Sequence, residues 1–291
     1  MSSSLRILVT GASGFLGRQV ADTLSHQHQV TRQGFRRAEG VEVCDLRDPV
    51  AVAGLLEATS PDWIVHCAAY REPDFCELNE AEARRLNVDS TRHLLAGLPA
   101  GGRMLFVSSD YVFDGTHPPY QPGDAVCPVN AYGRHKAESE ALVRAGAGHL
   151  VVRIPVLVGP DPAGVRGFLT QMIDDVRAGK PVTVDNVLVR CPTHIADVAA
   201  AFRFLIERGD SGVWHCSAPF AGTRYALTLE VARVLGLNAS HVQPSRDVIP
   251  RPARRPVDAS LDASALLAAG FLGLRGMPAV IRALLEQRSG T

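Results

Sequence analysis

The sequence predicts an α/β fold, a doubly wound parallel sheet covered by helices on both faces, with a smaller lobe toward the C-terminal end. Three observations predict it. Short apolar runs alternate with helical stretches as far as Ile154, which is the pattern of successive βαβ units. A glycine-rich turn joins the first run to the first helix. After Val158 the segment Gly159-Pro160-Asp161-Pro162-Ala163-Gly164 breaks the alternation and marks the start of the smaller lobe.

The first strand is read at Leu5–Thr10, and Gly11-Ala12-Ser13-Gly14-Phe15-Leu16-Gly17 follows at once. A helix over Gly14–His26 carries Val20, Ala21 and Leu24 at helical spacing. Glycine there permits a tight turn and lets backbone amides approach a pyrophosphate at the positive end of the helix. In this strand-turn-helix setting the pattern points to a dinucleotide site rather than a structural turn. Further strands are expected at Val41–Cys44, Trp63–Cys67, Met104–Ser109 and Leu150–Ile154, and helices at Pro49–Ala58, Glu80–Leu98 and Asn130–Ala145. Right-handed crossovers between such strands place ligands beyond their carboxyl ends. In the smaller lobe, helices are expected near Ser260–Ala269 and Met277–Gln287.

The dinucleotide is expected to be NADP(H). An NAD site would place an acidic side chain about 20 residues past the first glycine, but the chain has no carboxylate between Asp22 and Glu39. It has Arg32, Arg36 and Arg37 instead, and guanidinium groups suit a 2′-phosphate. The alternative is a solvated basic loop.

Tyr132 and Lys136 stand four residues apart in Asn130-Ala131-Tyr132-Gly133-Arg134-His135-Lys136, and Lys136 is one of only two lysines among 30 basic side chains. On a helix they share a face. A neighbouring ammonium is expected to lower the phenol's pKa toward use as a proton donor or acceptor near neutrality. The alternative is an incidental surface pair.

With Thr10–Gly17, then Ser108-Ser109-Asp110-Tyr111-Val112-Phe113-Asp114-Gly115, then Tyr132–Lys136 in that order, the chain resembles the extended short-chain dehydrogenase/reductases, whose fold is of the Rossmann type. The second motif resembles the dTDP-4-dehydrorhamnose reductases and their relative, the regulatory beta subunit of methionine adenosyltransferase. Gly34-Phe35-Arg36-Arg37, Val65-His66-Cys67-Ala68-Ala69, Leu86-Asn87-Val88-Asp89, Arg153-Ile154-Pro155 and Cys191-Pro192-Thr193-His194 look especially like the beta subunit. The resemblance implies that Tyr132 is the proton donor, that Lys136 holds the nicotinamide ribose and that Ser109 donates to the substrate carbonyl. Asp110 would either orient the site or cap a loop. By the same matching, Gly11, Ser13, Gly14, Phe15, Leu16, Phe35, Arg36, Arg37, Asp45, Leu46, Cys67, Ala68, Ala69, Arg71 and Leu157, with Tyr132 and Lys136, would line the cofactor site. The resemblance also implies a discontinuous division: 1–158 with 186–217 as the dinucleotide-binding domain, 159–185 with 218–291 as the substrate lobe.

Two departures bear on the substrate. The sugar reductases usually carry Thr-Ser-Trp after the strand arginine, whereas Arg153 is followed by Ile154, Pro155 and Val156. A dehydratase would have a second acid where Tyr111 stands, so sugar dehydration is disfavoured. Arg254 and Arg255 would hold the diphosphate of a nucleotide sugar or lie in a solvated loop.

A formal net charge of zero over 291 residues argues against an electrostatic grip on nucleic acid or an anionic membrane. No apolar run reaches the ~18 residues of a membrane span, no signal sequence is read at the start, and a cytoplasmic protein is expected. The six cysteines show no Cys-x-x-Cys and the ten histidines are dispersed, so no metal is expected, and Cys67 and Cys216, in apolar strand-like runs, read as buried small hydrophobes. Two functions follow. The first is an NADPH-dependent reductase of a keto group on a nucleotide-activated deoxysugar or similar polar carbonyl, a homodimer being one possible assembly. The second is an NADP-binding regulatory or scaffolding protein with a protein partner.

Overall fold

The computed structural model describes residues 4–36, 38–160, 167–247 and 249–289. Strand β1 (Arg6–Thr10) leads into α1 (Phe15–Ser25), followed by β2 (Gln29–Gly34), β3 (Glu42–Val43), α2 (Pro49–Thr59) and β4 (Trp63–His66). Two short helices, α3 (Pro73–Leu78) and α4 (Glu80–Arg84), run through a π turn at Arg85–Asp89 into α5 (Ser90–Ala96). Then come β5 (Arg103–Ser109), a 3₁₀ turn at Asp110–Val112, α6 (Ala131–Arg144) and β6 (Leu150–Ile154). The remaining elements are β7 (Leu157–Val158), α7 (Phe168–Ala178), β8 (Val182–Asp185), β9 (Val189–Arg190), β10 (Thr193–His194), α8 (Ile195–Arg208) and β11 (Gly212–His215). The chain ends with β12 (Gly222–Thr223), α9 (Arg224–Leu235), β13 (Val242–Ser245), α10 (Ser264–Ala268) and α11 (Met277–Ser289).

Seven strands form one sheet in the order β11-β6-β5-β4-β1-β2-β3, and every pairing in it is parallel. Strand residues alternate between its faces. Ile7, Val9, Leu105, Val107 and Val152 pack with Val20 and Leu24 of α1 and Val198, Phe202 and Leu205 of α8. Leu8, Ile64, Met104, Phe106 and Val151 meet Val52, Leu56, Leu94 and Val143 on the opposite face. Both faces are therefore apolar, which is why these strands read as continuous hydrophobic runs. A second core joins α7, α9 and α11 through Met172, Ile173, Val231, Val280 and Ile281, beside the parallel pair β8 and β13.

The helix expected over Glu80–Leu98 runs without a gap from Glu80 to Ala96, with a π turn at Arg85–Asp89 inside it. The Asn87 carbonyl accepts from Ser139 Oγ at 2.8 Å and its side chain bonds the backbone of Tyr70 in both directions. Those contacts fall at the π turn, where the helical ladder widens by one residue. Helices α3, α7 and α9 were not legible as separate elements, and the expected strand at Val41–Cys44 shrinks to Glu42–Val43. The proline-rich break after Val158 falls in part on residues 161–166, outside the described residues. Within 186–217, β11 joins the main sheet beside β6 and α8 packs on α1, whereas β10 pairs with β7 outside that sheet.

Candidate active site

The carboxyl ends of β1, β4, β5 and β6 open on one cavity of about 830 Å³. It lies where the sheet order turns back between β1 and β4, the position at which open α/β sheets bind ligands. Gly11 has φ +64°, and a Cβ there would stand 2.9 Å from the Ala68 backbone, so the turn needs glycine both for its conformation and for its approach to β4. Gly14 precedes α1 and offers no side-chain cap, which leaves first-turn amides of α1 without that partner at the cavity wall.

Ser109, Asp110, Tyr132 and Lys136 all line this cavity. Ser109 Oγ donates to Asp110 Oδ1 at 2.8 Å and accepts from the Tyr111 amide at 3.2 Å. Asp110 therefore orients Ser109 from the first position of the 3₁₀ turn. Asn130 caps α6, its Oδ1 accepting from the Gly133 amide at 2.9 Å, while Glu77 accepts from the Ala131 amide at 2.7 Å. A Cβ at Gly133 would lie 2.1 Å from the Tyr111 carbonyl, so only glycine lets α6 close on that turn. The Tyr132 ring meets Tyr111 edge-on, centroids 5.7 Å apart.

The Tyr–Lys relation differs from the sequence expectation. Lys136 is buried, donates to the Val107 carbonyl at 2.7 Å, and lies 4.7 Å from the Phe106 ring centroid and 5.9 Å from that of Tyr132. Burial raises the Tyr132 phenol above its ordinary range, and the hydrogen bond with Ser109 opposes only part of that rise. Lys136 does not bring it down. Burial also lowers Lys136 to about 8 and raises Asp110 to about 6, the latter opposed by the Arg190 charge. A phenol so raised is held protonated near neutrality and is a weaker acid than a free one.

Of the expected cofactor residues, Gly11, Ser13, Gly14, Phe15, Leu16, Phe35, Asp45, Leu46, Cys67, Ala68, Ala69, Arg71 and Leu157 all line this cavity. Arg36 is exposed and not on its wall, and Arg37 lies outside the described residues. Arg32 is committed elsewhere, donating to Asp22 Oδ1 at 2.7 Å. The arginines that line the cavity are Arg71, as expected, and Arg18, Arg47 and Arg190. Arg47 covers the Phe35 ring at 5.1 Å and holds Asp45 through bonds of 2.8–3.1 Å. Arg18 directly follows the glycine motif, in the first turn of α1; nothing local in the sequence marks Arg47 or Arg190.

Other conspicuous residues are structural. Arg153 is fully buried and bonds Glu140 through Nε at 2.9 Å and Nη2 at 2.7 Å, tying β6 to α6. His66 is satisfied between Thr10 Oγ1 at 2.7 Å and Ser90 Oγ at 3.3 Å, and burial lowers it to about 3. Arg255 is neither solvated nor in the cavity: its side chain is 12% exposed and donates to Asp74 Oδ1 at 2.9 Å. Arg254 contributes its carbonyl to Asn130 Nδ2 at 2.7 Å. Cys216 is buried as expected, whereas Cys67 stands half-buried on the cavity wall with its thiol raised to about 12 by burial. Among the described residues no group of three or more His, Cys, Asp or Glu side chains is placed to hold a metal, and no helix is long and apolar enough to cross a membrane.

The RmlD substrate binding domain family matches residues 5–289, and the chain belongs to it. The chain is 38% identical over 276 residues to "Methionine adenosyltransferase 2 subunit beta" of Pongo abelii, covering 91% of this chain and 83% of that one. It is 31% identical over 268 residues to "Probable low-salt glycan biosynthesis reductase Agl14" of Haloferax volcanii, covering 88% and 89%. Among solved structures it resembles a dTDP-4-dehydrorhamnose reductase of Clostridium acetobutylicum with a TM-score of 0.86 and 27% identity over 97% of this chain and 99% of that one.

Proposed function

We propose that this member of the RmlD substrate binding domain family is an NADPH-dependent reductase of a keto group on a nucleotide-activated deoxysugar or a similar polar carbonyl compound. The observation that carries the reading is the meeting of Ser109, Tyr132 and Lys136 in one cavity, with Asp110 bonded to Ser109. The glycine turn, the uncapped start of α1 and the arginines that line the cavity fit a dinucleotide with an added phosphate. When bound, the reduced nicotinamide is a hydride donor. Ser109 and Tyr132 share the substrate oxygen, and the protonated phenol gives up the proton that turns the carbonyl into an alcohol. Lys136 holds the ribose and supplies positive charge as the phenolate forms. Residues 1–158 with 186–217 act as the dinucleotide-binding domain and the rest as the substrate lobe.

The test follows NADPH absorbance with dTDP-4-dehydro-6-deoxyhexose, wild type beside Tyr132→Phe. Turnover is expected in the wild type and a loss of about 10²-fold or more in the variant. An undiminished rate in Tyr132→Phe would overturn the assignment of the proton donor. The 38% identity to a methionine adenosyltransferase subunit favours a second reading, an NADP-binding regulatory protein. Tight NADPH binding without turnover, together with co-purification of a synthetase, would decide for it.

A further inference from the structure

The reduction takes a proton from Tyr132 in a site that resists the charge left behind. Burial holds the phenol above its ordinary range, and the same desolvation destabilises a phenolate beside the product. Lys136 donates to the Val107 carbonyl at 2.7 Å, and its ammonium stands 5.9 Å from the Tyr132 ring centroid. A carboxyl group lies closer in the hydrogen-bond network. Tyr132 is bonded to Ser109, and Ser109 Oγ donates to Asp110 Oδ1 at 2.8 Å.

That network can run in either sense. A serine hydroxyl has one proton, which rotates about the Cβ–Oγ bond, and two acceptor lone pairs. The Tyr111 amide occupies one lone pair at 3.2 Å. The other is open to a proton on Asp110 when the hydroxyl turns toward Tyr132, so every donor and acceptor of Ser109 is used. The titratable groups facing Asp110 are Tyr111 on its own turn, Tyr132 on α6, Arg190 at the end of β9 and Cys191 just beyond it. None of these is a carboxyl group, so Asp110 is the acid of the cluster. Burial lifts it to about 6 against the opposing Arg190 charge, which keeps its proton available near neutrality. Asp110 also lines the cavity, so solvent reaches it when the product has left.

We infer that Asp110 is the proton reservoir of the site: once Tyr132 has given its proton to the new alcohol, Ser109 passes its own to the phenolate while taking the carboxyl proton of Asp110. The inference rests on the reductase reading. The O–H bonds of Tyr132 and Ser109 are each broken and remade, and the O–H bond of Asp110 is broken as that of the alcohol forms. Asp110 ends as the carboxylate, with the Arg190 charge to balance it, and regains a proton from solvent after product release. In this scheme Asp110 touches neither substrate nor cofactor and acts through Ser109.

The test is kcat from about pH 5.5 to about pH 8.5, with NADPH and dTDP-4-dehydro-6-deoxyhexose, for wild type, Asp110→Asn and Arg190→Met. Asparagine still accepts from Ser109 Oγ but has no acid proton to pass on. At the acid end, wild type is expected to exceed Asp110→Asn in kcat by about 10-fold or more. As pH rises the wild-type kcat falls with one ionisation, at or above about pH 6 because bound ligands exclude further water from Asp110. The ratio of wild type to Asp110→Asn therefore shrinks to one or below, while KM and NADPH affinity stay within about 3-fold. Arg190→Met removes the opposing charge and should move the fall to higher pH. A ratio that is constant across the range, as a purely structural Asp110 would give, overturns the proposal; so does a fall that persists in Asp110→Asn or stays in place in Arg190→Met. If Asp110→Asn does not fold, the profiles of wild type and Arg190→Met still decide. Absence of NADPH oxidation by wild type at every pH overturns the reductase reading and this proposal together, whereas turnover with a constant ratio overturns this proposal alone.

Discussion

Asp110→Asn should make the protein's stability less sensitive to pH. Asp110 is buried, and burial raises its carboxyl from the ordinary 3.8 to about 6. Because the folded pKa lies above the unfolded one, the folded state holds the proton more tightly. The stabilisation is complete below about pH 3.8 and is lost as pH rises through about 6. At about 1.36 kcal/mol for each pH unit, the full loss is about 3 kcal/mol, of which about 2 kcal/mol falls between pH 4.5 and 7.5. Asparagine keeps an oxygen to accept from Ser109 Oγ and does not titrate. Urea unfolding of both proteins at intervals across that range measures the difference. The variant should gain about 2 kcal/mol relative to wild type on going from pH 4.5 to 7.5, whatever its stability at either end. Two curves that stay parallel within about 0.5 kcal/mol would mean that Asp110 is ionised throughout, and that the Arg190 charge outweighs burial.

Gly133→Ala should cost about 1–3 kcal/mol and lower the thermal midpoint, since the new methyl meets the Tyr111 carbonyl. Gly54→Ala on α2, with nothing within 4 Å of the added carbon, should instead stabilise by about 0.5–1 kcal/mol; equal effects at the two sites would refute the close-approach argument. Glu140→Gln should cost about 3–5 kcal/mol in chemical unfolding because it leaves the buried Arg153 charge without its partner. A change below about 1 kcal/mol there would mean that Arg153 finds compensation elsewhere.

Reading the chain, with the resemblance it carries, placed most of the expected cofactor residues on one cavity. Gly11 to Gly17 form the turn they were expected to form, and Cys67, Ala68, Ala69 and Leu157 reach the same cavity from separate strands and loops. It succeeded there because a strand-turn-helix unit is encoded within about 20 contiguous residues and a parallel sheet aligns its strand ends. Tyr132 and Lys136 were legible for a similar reason, four residues being one helical turn. What the chain alone misjudged was mostly charge. Arg32 was expected at a 2′-phosphate and is held by Asp22; Arg255, expected either on a diphosphate or in a solvated loop, is held by Asp74.

Local periodicity thus determined the sheet, its first crossover and the residues gathered at its ends, because those follow from neighbours in sequence. The tertiary structure alone decided that Arg190 lines the cavity, that Asn87 sits in a π turn bonded to Ser139 and Tyr70, and that the Tyr132 phenol is raised rather than lowered. Each of those depends on desolvation and on partners more than 10 residues away, and both are properties of the packed interior rather than of any stretch of chain.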